Sequence, residues 1–383
     1  MKGHVRKRGS KWCFVLDLGK DETTGKRQQK WFSGFTTKKE AEKAMAEKIT
    51  EVNQGTFIAP SKEMFSSFLT SWLENKKMSV RSSTFRNYEW LVNKHILPHL
   101  GKYELAKLNP MHIEAFYRKL KKDESALSDE VISKIHTIIN AVLTRAHERG
   151  FVAKNVAKLV DKPRFSKKKM EVWNEKEVLQ FLDVAREDRL YIAFFLAITT
   201  GMRRGEILGL RWKDIDFENG EISIQQTLSN TGDELQEPKT KSAQRSIALP
   251  EQTVAELKKH KRRIAQEKLL ARSVYQDNDL VVCTSVGTKV LPRNLIRTYY
   301  RLLEKADVPK IRFHDLRHSH ATLLLKKGVH PKIAQERLGH ANIRITLDTY
   351  SHVLPNMQSE AAKQFGDSLF NKDDAEENDK KAL

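Results

Sequence analysis

Five short stretches in the second half of the chain contain side chains suited to anion binding, proton transfer or nucleophilic attack. Arginine is always protonated, and its planar fork matches the oxygens of a phosphate or a carboxylate. A tyrosine hydroxyl has an ordinary pKa of about 10 and attacks only when a base or neighbouring cations assist it. Taken singly, each stretch is more typical of an ordinary surface or core position than of a site. The stretches are TGMRRGEILGLRW (200–212), PKTKSAQRSIALP (238–250), HDLRHSHAT (314–322), LGH (338–340) and TLDTYSH (346–352).

Taken together and in this order, the five stretches resemble the signature of the tyrosine recombinase (phage integrase) family. The resemblance is highly specific, and the five stretches span the last of three segments of the chain. The first two segments are similar only in layout, to integrases of temperate phages and of conjugative transposons of Gram-positive bacteria. The resemblance implies a site-specific recombinase that cleaves and rejoins DNA at attachment sites through a 3′-phosphotyrosyl intermediate. Its task would be to integrate, and to excise, a mobile element such as a prophage.

The resemblance assigns the reacting groups to residues of this chain. Arg203 and Arg317 match the family's two arginines, which face the non-bridging oxygens of the scissile phosphate. Two guanidiniums placed there stabilise the extra negative charge of a pentacovalent transition state. Tyr350 matches the attacking residue.

The remaining matched positions concern protons and orientation. Lys239 matches the general acid that protonates the departing 5′-oxygen, and a lysine can do this if nearby arginines lower its pKa. His314 would exchange a proton with the tyrosine hydroxyl, and His340 would donate a hydrogen bond to the phosphate. Glu206, three residues after Arg203, would orient an active-site arginine.

Two assignments stay open at this level. Lys239 and Lys241 lie two residues apart in a stretch that is predicted to form a β-hairpin, and Lys241 could be the acid if that hairpin has another register. Arg204 follows Arg203, and adjacent helical residues point about 100° apart, so only one of the two can face the phosphate. The family pattern selects Arg203.

No cofactor and no metal are expected. A phosphotyrosyl bond stores the free energy of the broken phosphodiester, so resealing needs no nucleotide. The sequence accordingly has no GxxxxGKS or GxxxxGKT phosphate loop and no Asp/Glu cluster of the two-metal nuclease kind. A metal site at His314, His318 and His320 is the main competing hypothesis, but no carboxylate or cysteine nearby completes the set.

Two further alternatives keep the same scaffold. A non-catalytic DNA-binding regulator would be expected to lack the tyrosine or an arginine, and this chain has all of them. A type IB topoisomerase would relax supercoils without a second site, whereas the small basic module at the beginning of the chain favours recombination.

The charge of the chain favours nucleic acid as the partner. Lys and Arg number 69 against 49 Asp and Glu, a formal charge of +20 over 383 residues. Such an excess attracts polyanions. The longest apolar run, from Tyr191 to Ile198, is far shorter than the roughly 20 residues of a membrane span, so no membrane partner is expected.

The resemblance specifies the partners further. They would be double-stranded DNA with core and arm-type attachment sites, three more copies of the chain in a homotetramer on DNA, and an excisionase and a host DNA-bending protein. Cys13 and Cys283 have no metal-ligand or redox spacing. The expected location is the cytoplasm of a bacterial host, in association with the nucleoid.

Hydrophobic patterning predicts a multidomain protein. Residues 1–57 are predicted to form a small α+β arm-type DNA-binding domain, a three-stranded sheet with one helix that opens at a Thr37–Glu40 capping box. The first 60 residues of the chain hold 13 Lys and Arg against 7 Asp and Glu, which is typical of a DNA-binding unit or, less specifically, of a solvated basic face. Residues 61–160 are predicted to form an all-α core-binding bundle, with its clearest helix ending at Gly150.

The rest of the chain is predicted to contain the chemistry. Residues 161–170, rich in Lys and Arg, read as a basic linker that can lie along a phosphate backbone. Residues 171–358 are predicted to be a mixed α+β, mainly helical catalytic domain. Residues 359–383 form a tail, with one short helix and a charged end, and 359–370 are the candidate for packing on a neighbouring protomer.

Overall fold

The computed structural model describes residues 3–20, 27–53, 62–122, 126–166, 170–238, 244–350, 362–363 and 365–367. The chain divides into two compact units, residues 1–167 and 168–383. The predicted fold class is confirmed: a three-stranded sheet with one helix, a helical bundle, and a mainly helical domain with small sheets.

The first residues form an antiparallel sheet of β1 (Gly3–Arg8), β2 (Lys11–Lys20) and β3 (Arg27–Phe35), with β2 in the centre. Helix α1 (Lys38–Asn53) packs its Ala41 against the buried Phe14 and Leu16 of β2. The capping box that opens α1 is present. The Glu40 amide donates to Thr37 Oγ1 over 3.2 Å, and Glu40 Oε2 accepts from the Thr37 amide over 3.3 Å.

A helical bundle follows in the same unit. Its apolar stripes meet in one core that includes Phe65, Ile96, Phe116 and Ile139. The predicted stop at Gly150 is present, with φ +73 just beyond the longest helix. The helices are α2 (Phe65–Ser79), α3 (Ser82–Leu91), a π-helical turn (Val92–Ile96) that runs into α4 (Leu97–Leu100), α5 (Pro110–Lys122) and α6 (Asp129–Glu148), with 3₁₀ turns at Leu105–Lys107 and Val156–Leu159.

The described part of the predicted basic linker has neither helix nor strand. Residues 161–166 are exposed except for the half-buried Pro163. Lys162 Nζ donates to Thr137 Oγ1 of α6 over 3.1 Å, which holds the start of the segment on the bundle.

The second unit has eight helices in its described ranges. Its core is built on aromatic side chains, with Trp173, Phe181, Phe194 and Tyr299 all buried and in ring contact. The helices are α7 (Glu175–Ala185), α8 (Tyr191–Thr200), α9 (Arg204–Gly209), α10 (Glu251–Ala271), α11 (Pro292–Ala306), α12 (Asp315–Lys326), α13 (Pro331–Leu338) and α14 (Ile343–Tyr350).

Two small sheets accompany these helices. The strands β4 (Ile215–Asp216), β5 (Glu221–Ser223) and β8 (Ser246–Ala248) form one antiparallel sheet, and β6 (Thr227–Leu228) pairs with β7 (Leu235–Gln236). Residues 220–228, in which apolar and polar side chains alternate, are therefore shared between two sheets. Gln226 lies at the division, where its Nε2 donates to the Gly209 carbonyl over 2.8 Å.

Candidate active site

Arg203 lies at the junction between α8 and α9. Gly201 ends α8 in the left-handed conformation, with φ +67, and Arg203 takes an extended conformation just before α9 begins. The Arg203 amide donates to Glu206 Oε2 over 2.8 Å, and its Nη1 donates to Glu206 Oε1 over 2.7 Å. The side chain of Arg203 is 37 % exposed, so its guanidinium is fixed at one end and open to solvent.

Glu206 is buried and binds two arginines at once. It is 3 % exposed, and Arg245 Nη1 and Nη2 reach its carboxylate over 3.2 and 3.0 Å. Burial acts to raise the pKa of Glu206, but the charge and hydrogen bonds of Arg245, together with those of Arg203, outweigh it and hold the pKa below its usual value. Glu206 is therefore ionised at neutral pH.

Arg317, on the first turn of α12, is 2 % exposed. Its Nη1 donates to the Gly201 carbonyl over 2.7 Å, and its Nη2 donates to the Leu338 carbonyl over 2.6 Å. Arg203 Nη2 donates to the next carbonyl, that of Gly339, over 3.1 Å. The two arginines therefore meet at the carboxyl end of α13, where the helix dipole favours positive charge.

His340 follows directly on this helix end. Gly339 has φ +67 and turns the chain out of α13, and His340 Nδ1 lies 2.9 Å from the hydroxyl of Thr346, which is fully buried. Thr346 belongs to α14, the helix whose last residue is Tyr350. The backbone of Tyr350 is thus one turn beyond the residue that His340 contacts, while its side chain lies outside what the structure describes.

The imidazoles of this region are held neutral. Burial lowers the pKa of His314, and the charges of Arg317 and Arg203 lower it further, while Asp315 opposes them. Burial, Arg317 and Arg203 lower the pKa of His340 to about 3. Both histidines therefore lie in the field of the two arginines, and neither adds a positive charge near pH 7.

The metal hypothesis finds no support in the described ranges. No group of three or more His, Cys, Asp or Glu side chains there could hold a metal ion. The rings of His314 and His318 meet edge to face at 5.0 Å, whereas His320 is hydrogen-bonded to the Ile198 carbonyl and to Arg337.

The structure thus brings together five of the seven residues named from the sequence. Arg203, Glu206 and Arg317 meet by hydrogen bonds at the start of α9 and the end of α13, and His314 and His340 lie close enough for the two arginines to lower their pKa values. Lys239 and the alternative Lys241 lie outside the described residues. Arg204 Nη2 instead donates to Asn230 Oδ1 over 3.0 Å. Sequence reasoning missed Arg245, which lies within the matched stretch 238–250, and Arg337, which directly precedes the matched stretch 338–340.

Gly201 allows a substitution test of this packing. A Cβ at Gly201 would lie 2.6 Å from His320 Cδ2 in a left-handed conformation that side chains disfavour. We expect Gly201→Ala to lower the free energy of unfolding by roughly 2 to 4 kcal/mol, measured by urea titration. Gly328→Ala is the matched control, because Gly328 has φ +78 with no atom near a new Cβ, and we expect a loss of only about 1 kcal/mol. Equal losses of unfolding free energy in Gly201→Ala and Gly328→Ala would contradict the close packing of Gly201 against His320.

Comparisons with known proteins identify the family of this chain. Residues 171–357 match the phage integrase family, 64–121 match a phage integrase N-terminal SAM-like domain, and 4–52 match an arm DNA-binding domain. The chain is 32 % identical to a tyrosine recombinase XerC-like protein of Caldanaerobacter subterraneus, over 96 % of this chain and 98 % of that protein.

The chain belongs to the tyrosine recombinase family. It is a site-specific recombinase of the integrase type, and DNA is its partner.

Solved structures share the fold of this tyrosine recombinase. The integrase of the Tn1549 transposon, in complex with transposon right end DNA, has a TM-score of 0.66 at 22 % identity, over 80 % of this chain and 99 % of that one. A lambda integrase tetramer bound to a Holliday junction has a TM-score of 0.56 at 18 % identity, over 88 % of this chain and 95 % of that one. Among the described helices of the recombinase, none is long and apolar enough to cross a membrane.

Proposed function

We propose that this recombinase cleaves DNA by attack of Tyr350 on a scissile phosphate, with Arg203 and Arg317 binding the phosphate. The observation that carries the proposal is the convergence of three guanidinium groups at the end of α13. Arg203, Arg245 and Arg317 meet there at three successive carbonyls, and Glu206 binds two of them. A partly exposed cationic cluster with neutral imidazoles is suited to a phosphate that gains charge in the transition state.

The chemical step balances without a co-reactant. The Tyr350 oxygen forms a bond to phosphorus, its proton passes to His314, and the bond from phosphorus to the 5′-oxygen breaks. Lys239 gives a proton to that oxygen, which leaves a 5′-hydroxyl and a 3′-phosphotyrosyl link. Attack by a 5′-hydroxyl from a partner strand reverses these steps and reseals the DNA. His340 donates a hydrogen bond to the phosphate as a neutral imidazole.

The open choice between Lys239 and Lys241 has a direct test. A 5′-bridging sulfur in place of the scissile 5′-oxygen leaves as a thiolate and needs no acid. We expect Lys239→Ala to slow cleavage of ordinary DNA by roughly 10²- to 10⁴-fold and to cleave the sulfur substrate at nearly the wild-type rate. Lys241→Ala is the control and should cleave both substrates normally. If Lys241→Ala is instead the variant that cleaves ordinary DNA slowly and the sulfur substrate normally, Lys241 is the acid.

The same proposal includes the layout of the reaction on DNA. The sheet of residues 3–35 with α1 would bind arm-type sites, and the bundle and the catalytic domain would bind core sites. Four protomers would exchange the strands of two DNA segments to integrate or excise a mobile element, with an excisionase and a host DNA-bending protein setting direction. The high positive charge of the chain and its likeness to arm DNA-binding domains support this assignment.

A joining assay tests recombination as such. Two labelled duplexes that carry the attachment sequences flanking the element are incubated with the protein in EDTA, without nucleotide. We expect recombinant joints, because the phosphotyrosyl link conserves the bond energy. A requirement for Mg²⁺ or ATP, or relaxation of supercoiled DNA without any joint product, would exclude the proposal.

A further inference from the structure

Three successive backbone carbonyls at the end of α13 each accept a hydrogen bond from a different arginine. The Arg337 carbonyl accepts from Arg245 Nε over 2.7 Å, the Leu338 carbonyl from Arg317 Nη2 over 2.6 Å, and the Gly339 carbonyl from Arg203 Nη2 over 3.1 Å. A helix end leaves its last carbonyls without intrahelical partners, so they are free to act in this way. Together with Glu206 and the Gly201 carbonyl, this one turn therefore orients all three guanidiniums.

The side chain of Arg337 ties the same turn to three other elements. Its Nη1 donates to the Ala248 carbonyl of β8 over 2.8 Å, and its Nη2 donates to the Thr199 carbonyl of α8 over 3.1 Å. Its Nε donates to His320 Nε2 of α12 over 3.2 Å. Arg337 thus connects the turn to the strand that follows Arg245, to the helix that precedes Arg203 and to the helix that carries Arg317.

The acceptor role of His320 requires a neutral ring with its proton on Nδ1. His320 Nδ1 lies 2.8 Å from the Ile198 carbonyl, to which only a protonated nitrogen can donate, so Nε2 keeps its lone pair for Arg337. His320 is 6 % exposed, and burial and the charge of Arg337 lower its pKa to about 3. The ring therefore accepts from Arg337 throughout the neutral pH range.

A half-buried cation at this place carries a desolvation cost that a purely structural contact does not require. Burial, followed by the charge of Arg245, lowers the pKa of Arg337, which means that the protein disfavours its charged form there. Buried ionic contacts can often be replaced by apolar packing without loss of stability. A guanidinium that reaches three elements in a fixed plane is better suited to holding the geometry of a site.

We propose that Arg337 is a positioning residue for strand cleavage: it fixes the last turn of α13, whose carbonyls orient Arg203, Arg245 and Arg317. The proposal rests on the proposed roles of Arg203 and Arg317 at the scissile phosphate. Arg337 does not itself touch DNA in this scheme. Its loss displaces the arginines by a fraction of an ångström and slows the chemical step more than it weakens DNA binding.

The experiment is single-turnover cleavage of a nicked core-site substrate at saturating protein, with DNA binding measured separately. We expect Arg337→Gln to cleave about 10- to 100-fold more slowly with a change in Kd below about 3-fold. Arg337→Lys should recover part of the rate. The control Lys332→Gln lies on the surface of the same helix, where Lys332 pairs with Glu336, and should cleave at the wild-type rate.

A double-mutant cycle separates positioning from general stability. Because Arg337 acts through Arg203 and its neighbours, Arg337→Gln should reduce the cleavage rate by a smaller factor in an Arg203→Lys background than in the wild type. Two results would overturn the proposal. One is a folded Arg337→Gln protein that cleaves at the wild-type rate, and the other is an equal fold-loss of cleavage rate in the wild-type and Arg203→Lys backgrounds. If Arg337→Gln does not fold, the same cycle with Arg337→Lys decides in the same way. Failure of the wild type itself to cleave would instead reject the function proposed above.

Discussion

Tyr350→Phe should form no covalent adduct with attachment-site DNA while binding that DNA as tightly as the wild type. The substitution removes one oxygen, the proposed nucleophile, and leaves the aromatic ring. Loss of a nucleophile costs catalysis roughly 10⁴-fold or more, because no other group of the site replaces it. Denaturing gel electrophoresis of a nicked substrate measures the adduct, and a mobility shift measures binding.

The control for this experiment is a tyrosine elsewhere in the same domain. Tyr300 on α11 is half-buried, and its ring centroid lies 5.5 Å from Lys310 Nζ. It has no part in the proposed reaction. Tyr300→Phe should form the adduct at the wild-type rate. An adduct of undiminished yield with Tyr350→Phe would remove Tyr350 from its role.

Arg203→Ala should slow single-turnover cleavage by roughly 10³-fold, which is the usual cost of losing one donor to a developing oxyanion. Arg203 combines an anchored guanidinium with an exposed face, and its partner Glu206 keeps Arg245 when Arg203 is removed. The fold should therefore persist, which circular dichroism checks. Cleavage at a saturating protein concentration isolates the chemical step from binding.

Arg204→Ala is the matched control, since it removes the same charge one residue away. Only Arg203→Ala should lose the chemical step, since Arg204 is bonded to Asn230 instead of the cluster. Equal losses of cleavage in the two variants would show that general charge, and no specific contact to the phosphate, explains the effect.

Local patterns predict the fold class and several details of it. The helix that ends at Gly150 and the capping box of Thr37 and Glu40 depend on residues within one or two turns of each other, so periodicity and spacing are sufficient. The division of 220–228 between two sheets occurs where Gln226 donates to the Gly209 carbonyl of another element, and alternation alone does not carry that information.

The residues of the candidate site, too, can be predicted only where a local motif marks them. Arg203 and Arg317 follow from family motifs, and Glu206 follows from its spacing to Arg203. Arg245 and Arg337 make contacts to residues 39 to 138 positions away, and only the folded chain brings these pairs together. Their places within or next to the matched stretches do not distinguish these two arginines from the many surface arginines of so basic a sequence.

The proposed reaction is tested most directly by the residue that becomes covalently linked to DNA and by the DNA end to which it is linked. A nicked attachment-site substrate traps the adduct, and protease digestion followed by mass spectrometry locates the nucleotide-bearing peptide. We expect one adduct, at Tyr350, attached to the 3′-phosphate of the cleaved strand. A link at another side chain, or to a 5′-phosphate, would contradict it.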